Sequence, residues 1–480
     1  MTRLLRLFPL LPTTLLTGCD TLSCGPGTVR EGTQCVVAET PLGETGGADS
    51  ASSGGVDTAP TDTGGDSGGD SGGDSAPVEA PIEVYILSGQ SNMDGWSPVS
   101  GLPPSLQVGQ PDVRLYWSTD GALGPLEPSS NKGMQYTGPE VSMGRTLADA
   151  GREVVLVKHA WAGTTMQTYW YPGLSDEDPA AAEGWLLLRQ AMDATAAALD
   201  AEGRPWRWAG AAMLQGETDS WDATARENFA ENLALYVARL REVTGEPDLP
   251  FVMGELRCDV QCTYNDLIED GQAQVAAADP AFILIDNDDL GQDPDDPKHF
   301  DGSGIRVVGE RLAQAFLGEP YSPPPEPALA LDAWTADRDG TYTLGWSFSL
   351  DTPLTITDIG CFSEGELLSA TQWGLWTDGG ATLIGRGVIP PTTQVVLSRR
   401  EPFWYVAIEP IALPAGDYVV ALTSTADDGD THAHAATGVV APGITFGVGR
   451  YIGADGILDY PTYSAGRDIS FTGPNFLFIR

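Results

Sequence analysis

Lysine is nearly missing from this 480-residue chain, which holds only Lys132, Lys158 and Lys298. With 67 acidic against 25 basic side chains, the formal charge is -42. Phosphate backbones are bound through Lys and Arg, so a surface this negative excludes nucleic acid as a partner. No apolar run reaches the ~18 residues of a spanning helix. Histidine is scarce too: His159, His299, His432 and His434 are the only imidazoles available as a base. Six cysteines are too widely spaced for a zinc site, and no metal or organic cofactor is expected. Hydrophobic residues make up 41%, enough for two globular units and a tail.

Residues 1–18 carry Arg3 and Arg6 before a Leu-rich stretch broken by Pro9 and Pro12, the composition of a secretory signal. The stretch ends in Leu16-Thr17-Gly18-Cys19, which resembles the bacterial lipobox. That resemblance implies cleavage before Cys19 and lipidation of its thiol; several acyl chains, at ~0.8 kcal/mol per buried CH₂, hold a protein on a membrane. An exported lipoprotein of the bacterial cell envelope, on its periplasmic or surface face, is therefore expected. A short segment, 19–38, is bracketed by cysteines, and residues 39–80 hold nine acids and no base around a Gly-Gly-Asp-Ser repeat. Such a segment cannot bury enough apolar surface to offset chain entropy and predicts a disordered, self-repelling linker. Gly65-Asp66-Ser67-Gly68-Gly69 imitates a protease nucleophile motif, but a repeat of this kind fixes no geometry. In an oxidising compartment, Cys24 with Cys35 and Cys258 with Cys262 are expected as local disulfides, leaving Cys361 outside both pairs.

From 81 to 318 short apolar runs alternate with amphipathic stretches. Glu83 to Ser88, Val154 to His159, Ala209 to Leu214, Phe251 to Gly254 and Phe282 to Ile285 predict buried strands. Glu140 to Ala150, Trp185 to Ala201, Thr224 to Val243 and Asp266 to Ala278 predict helices. The alternation implies an α/β domain, a parallel sheet with helices on both faces, whose sites lie past the carboxyl ends of the strands. There the sequence places Gly89-Gln90-Ser91-Asn92-Met93, Ala162-Gly163-Thr164 and Gln215-Gly216-Glu217-Thr218-Asp219, with Asp296-Pro297-Lys298-His299 before the last helix. This is the inventory of an acyl-transfer site: a nucleophile, a base, an acid to orient it and donors for an oxyanion.

These four blocks, in this order, resemble the SGNH hydrolase superfamily, specifically its carbohydrate acetylesterase branch of the sialate O-acetylesterase and acetylxylan esterase type. The resemblance covers residues 81–318 and implies a three-layer, flavodoxin-like domain. Ser91 follows a strand through a tight turn and is the expected nucleophile. His299 is the expected base, since His432 and His434 fall in the other domain and Asp296, three residues earlier, can orient the imidazole. No Gly-x-Ser-x-Gly elbow surrounds Ser91, which weighs against a lipase-like α/β-hydrolase. For the oxyanion hole the resemblance implies the N–H groups of Ser91 and Gly163 and the side-chain amide of Gln215. Gln90, Asn92, Glu217 and Asp219 are expected to support the site, and His159 to line or brace it. Gly138-Pro139-Glu140 also matches the branch and reads as a helix start. Trp161, Tyr169 and Trp170 are either a sugar-stacking wall or core.

Beyond a Pro-rich linker at 319–328, residues 329–480 change to short aromatic and β-branched runs between Gly, Asp and Pro. Thr341 to Leu350, Thr355 to Phe362, Gln372 to Trp376, Gln394 to Leu397, Phe403 to Ile408 and Tyr418 to Thr423 predict strands of a β-sandwich. It resembles secreted bacterial β-sandwich domains of unknown function, and Tyr451, Tyr460 and Tyr463 are candidates for glycan binding. His432 and His434 lack an evident third metal ligand.

The expected function is a secreted, membrane-tethered serine esterase removing O-acetyl groups from carbohydrate through an acetyl-enzyme. The alternatives are a lysophospholipase or thioesterase on the same fold, and a glycan-binding lipoprotein without catalysis. The strongly negative charge favours a neutral acetylated polysaccharide over a sialoside, unless one of the three lysines supplies local positive charge.

Overall fold

The computed structural model describes residues 28–31, 34–37, 80–258, 261–293, 295–337, 341–380, 382–395, 397–400, 402–425, 432–453, 457–466 and 471–480. The signal segment, Cys19, Cys24 and the Gly-Asp-Ser repeat lie outside the described residues. Two compact units are present, 1–75 and 76–480. In the first, Thr28–Glu31 pairs antiparallel with Gln34–Val37, bringing Cys35 opposite Arg30.

The second unit is built first on a seven-stranded sheet. In chain order its strands are β1 (Ile82–Gly89), β2 (Gln110–Trp117), β3 (Ala122–Leu126), β4 (Val154–Ala160), β5 (Trp206–Leu214), β6 (Phe251–Gly254) and β7 (Phe282–Ile285). Across the sheet the order is β7-β6-β5-β1-β4-β2-β3. All neighbours are parallel except the β2–β3 hairpin at one edge. Sequence periodicity finds five of these strands and misses β2 and β3. The β2 run Gln-Pro-Asp-Val-Arg-Leu-Tyr-Trp has Pro at its second position and mixes polar with apolar positions, because the antiparallel edge is covered less completely than the centre.

Alternation along β1 shows why helices cover both faces. Ile82, Val84 and Ile86 pack into a core with Trp185, Leu188, Phe229 and Tyr236, whereas Tyr85 and Leu87 pack into another with Val141, Leu147, Val307 and Val308. Among the described residues the α-helices of this part are α1 (Ser91–Asp94), α2 (Glu140–Asp149), α3 (Glu183–Glu202), α4 (Glu217–Trp221), α5 (Ala223–Glu227), α6 (Phe229–Thr244), α7 (Asn265–Ala278) and α8 (Gly302–Leu317). The helix expected over Thr224 to Val243 is broken at Asn228 into α5 and α6. Asp222 caps α5 by accepting from the N–H groups of Thr224 and Ala225. Topologically, β4 and β5 lie on opposite sides of β1, so consecutive connections diverge there; such a switch point opens a crevice at the strand ends.

Residues 326–479 form antiparallel sheets of five, six and three strands. Trp346, Phe348, Ile356, Leu375, Val420 and Phe476 fill their shared core. Five of the six expected strands are present. The sixth, Gln394 to Leu397, is corrected: 392–395 is a turn closed by the Gln394 N–H donating to Pro391, and the strand Ser398–Arg400 follows. Cys361 is buried in this core. Cys258 and Cys262 are joined by a disulfide. Among the described residues no helix is long and apolar enough to cross a membrane, and no three His, Cys, Asp or Glu side chains are grouped to hold a metal ion.

Candidate active site

β1 delivers its last residue, Gly89, at φ 142°, where a Cβ would sit 2.1 Å from the carbonyl oxygen of Leu214. Only glycine permits that approach. The Gln90 N–H then donates to Leu214 O at 3.0 Å, tying the turn to the end of β5, and α1 begins at Ser91. Being the first residue of a helix, Ser91 has a backbone N–H without an intrahelical acceptor.

The sequence-distant His299 meets it. Ser91 Oγ lies 2.8 Å from His299 Nε2, and His299 Nδ1 lies 2.9 Å from Asp296 Oδ2. A carboxylate at Nδ1 fixes that nitrogen as the N–H donor and leaves Nε2 to accept the hydroxyl proton. Burial drives the His299 pKa down to about 4 against the opposing pull of Asp296, so the imidazole is neutral at neutral pH. Burial also works against the Asp296 carboxylate, but hydrogen bonds from Lys298 and His299 outweigh it and hold its pKa below the usual range.

Asn92 fastens the two halves together. Its side-chain amide donates to Glu217 Oε1 at 2.5 Å and to Lys298 O at 3.1 Å, while its oxygen accepts from the Phe300 N–H at 3.2 Å. The helix bearing Ser91 is thus pinned to the loop bearing His299 on one side and to α4 on the other.

Gln215 Nε2 stands within hydrogen-bond distance of three acceptors: Asp219 Oδ2 at 2.6 Å, Thr164 O at 2.7 Å and Gln90 Oε1 at 3.1 Å. A primary amide carries two hydrogens. Both are therefore engaged in this structure, and Gln215 could reach an oxyanion only by releasing one of these partners. Asp219 also accepts from the Met166 N–H at 2.8 Å, joining the second and third blocks. Burial raises the pKa of both Glu217 and Asp219 to about 7. Glu217 Oε2 and Gln215 Oε1 are buried without a protein partner. Gly163 is exposed at φ 75°, in the left-handed region, and a Cβ there would meet open space. Its glycine requirement is conformational.

His159 is 2% exposed and bonded to Ser118 Oγ at 2.6 Å and Tyr169 OH at 3.2 Å, with its pKa lowered by burial to about 4. It braces the core and lies outside the serine relay. Trp170 is fully buried and belongs to the core, while Trp161 is half exposed.

The three lysines have different fates. Lys158 is wholly buried: its ammonium pairs with Glu140 Oε2 at 2.8 Å and donates to Asp94 O at 3.0 Å. It contributes nothing to a substrate-facing patch. Lys298 is tied to Asp296. Lys132 lies over the rings of Trp96 and Tyr136, 4.4 and 4.0 Å from their centroids. Trp96 in turn packs on the His299 ring at 4.8 Å. Sequence reasoning missed Trp96; its place five residues after Ser91 was the one available signal. It also missed the Glu140–Lys158 pair, although a lysine inside the run Val-Val-Leu-Val-Lys-His-Ala is itself a sign of burial.

A family model described as "Carbohydrate esterase, sialic acid-specific acetylesterase" matches residues 81–318. Comparison with curated proteins found no match. Among solved structures, a protein of Arabidopsis thaliana is 18% identical with TM-score 0.42, covering 50% of this chain and 99% of its own. A carbohydrate acetylesterase from Xanthomonas citri is 16% identical with TM-score 0.39, covering 74% and 78%. NanS is 18% identical with TM-score 0.36, covering 50% and 98%.

Proposed function

Residues 81–318 belong to the carbohydrate esterase family of the sialic acid-specific acetylesterase type, and from that premise we propose that this carbohydrate O-acetylesterase works by serine catalysis. The observation that carries the mechanism is the unbroken relay from Ser91 Oγ through His299 to Asp296 at the carboxyl end of β1. Ser91 attacks the acetyl carbonyl while Nε2 of the neutral His299 takes its proton. The imidazolium so formed is stabilised by Asp296, then gives the proton to the departing sugar hydroxyl. Water, deprotonated by His299, releases acetate from Ser91. The N–H groups of Ser91 and Gly163 serve the oxyanion, and Gln215 joins them by giving up its longest bond, that to Gln90, as charge develops.

Acetate release from an acetylated oligosaccharide by the wild type and by Ser91→Ala tests this. The variant should lose roughly 1000-fold or more in kcat with its circular dichroism unchanged. Wild-type turnover by Ser91→Ala would overturn the mechanism.

We further propose that Cys19 is lipidated and that residues 39–80 let the enzyme reach out from a cell-envelope membrane, on the strength of Leu16-Thr17-Gly18-Cys19 and the acidic composition that follows. Cys19→Ser should move the protein from the membrane to the soluble fraction. Continued sedimentation with membranes would refute the anchor.

A further inference from the structure

We propose that the β-sandwich completes the substrate cleft: a groove of about 420 Å³ shared by the two parts of residues 76–480 holds uncharged sugar units flanking the acetylated one. This rests on the esterase reading above and extends it to the length and charge of the substrate.

The segments that wall the groove are tied to the loop of the catalytic histidine. Ser97–Pro98 pairs antiparallel with Tyr136–Thr137, and the Val99 N–H donates to Gln135 O at 2.9 Å, so these segments form one ribbon. Ser97 Oγ donates to Phe300 O at 2.7 Å, fixing the ribbon to the residue after His299. Trp96 at the start of the ribbon packs on the His299 ring, and Lys132 spans from Trp96 to Tyr136. Tyr136 is itself a wall of the groove. A chain of contacts through Trp96, Lys132 and Tyr136 therefore runs from the imidazole to the groove.

The opposite wall comes from the sandwich, from the turn at 392–395, which overlaps the strand expected over Gln394 to Leu397. The turn is built in place: the Thr392 N–H donates to Leu367 O at 3.0 Å and the Gln394 N–H to Pro391 O at 2.9 Å. The two parts are also bolted together nearby, where the Ser105 N–H and hydroxyl donate to the Glu409 carboxylate at 2.5 and 3.0 Å.

The lining decides the ligand. The lining joins Ser100, Gln107, Gln135 and Tyr136 with Thr392, Thr393 and Gln394, the rest being apolar, with no carboxylate, ammonium or guanidinium among them. Amides and hydroxyls can both donate and accept, as sugar hydroxyls require, and a Tyr face suits the apolar face of a pyranose. An ionised glycan would meet no charged side chain in the lining itself, since the one ammonium against a wall residue, Lys132, is held on the rings of Trp96 and Tyr136, in a protein carrying -42 overall. The volume lies within the ~300–1,000 Å³ of small-molecule sites.

The test uses the full chain. Hydrolysis of acetylated xylohexaose is compared with that of p-nitrophenyl acetate, for wild type and for Thr393→Ala/Gln394→Ala. The ratio of the two kcat/KM values should fall roughly fivefold or more in the variant, through KM for the hexaose, as expected for one or two lost hydrogen bonds. An unchanged ratio overturns the proposal. Independently of turnover, unacetylated xylohexaose is titrated calorimetrically into Ser91→Ala. Binding weakened by the added Thr393→Ala/Gln394→Ala changes supports the groove. Absence of binding, binding indifferent to those changes, or tighter binding of oligogalacturonate overturns it. Because this second arm needs no chemistry, failure of the esterase reading leaves it readable.

Discussion

Lys158 and Glu140 form an ion pair whose side chains are 0% and 1% exposed, directly beneath the helix that starts at Ser91. The lysine also holds the carbonyl of Asp94, the last residue of that helix, and the Glu140 carboxylate accepts from Thr137 and Gly138. Breaking one partner leaves the other charge buried and uncompensated. Lys158→Met or Glu140→Leu alone should cost about 3–5 kcal/mol in denaturant unfolding, and the double variant should recover part of that. Equal stability of all four proteins would show that the pair contributes nothing.

The relay predicts an acid limb. Protonation of His299 abolishes its capacity to accept from Ser91, and its folded pKa of about 4 lies below the ordinary 6.5. Activity should therefore persist to about pH 5 and be lost as pH falls through about 4, read as kcat/KM against pH. Asp296→Asn removes the charge that raises the imidazole pKa, so its limb should move to still lower pH while kcat drops steeply. A wild-type limb near 6.5 would mean that His299 is solvated in solution.

Gln215→Ala should lower kcat roughly 100-fold or more with little change in KM, because the amide acts on charge present only in the transition state. The same variant should leave Asp219, Thr164 and Gln90 short of a donor. A loss of stability alone, with kcat intact, would make Gln215 a positioning residue whose three resting bonds are its whole role.

Glu217 and Asp219 give a stability prediction of definite sign. Burial lifts both to about 7 from ordinary values of 4.5 and 3.8, so the fold favours their neutral forms. Their contribution is complete below pH 4 and is lost as pH rises through about 7. His299 acts oppositely, its contribution failing as pH drops from 6.5 toward 4. A difference between variant and wild type isolates the acids: Glu217→Gln/Asp219→Asn should gain on wild type by roughly 2 °C or more in Tm between pH 5 and pH 8. Parallel melting curves across that range would place both carboxylates in contact with water.

What the sequence alone determined was local. Apolar runs ending at Gly89, His159 and Leu214, each leading within a few positions to a block of small and polar residues, are read from neighbouring positions, and a parallel sheet leaves its strand ends as the one place for such residues to converge. The pairing of Asp296 with His299 is likewise a three-residue relation. Tertiary structure decided whatever depends on packing between distant segments. It buried Lys158 against a carboxylate eighteen residues away while leaving Lys132 on aromatic rings, although both are lysines near motifs. It committed both hydrogens of Gln215 to acceptors from three blocks. It also placed Gln394 and Val395, the start of the strand expected over Gln394 to Leu397, in a turn, because a run this short takes its conformation from the surfaces it joins rather than from its own weak propensity.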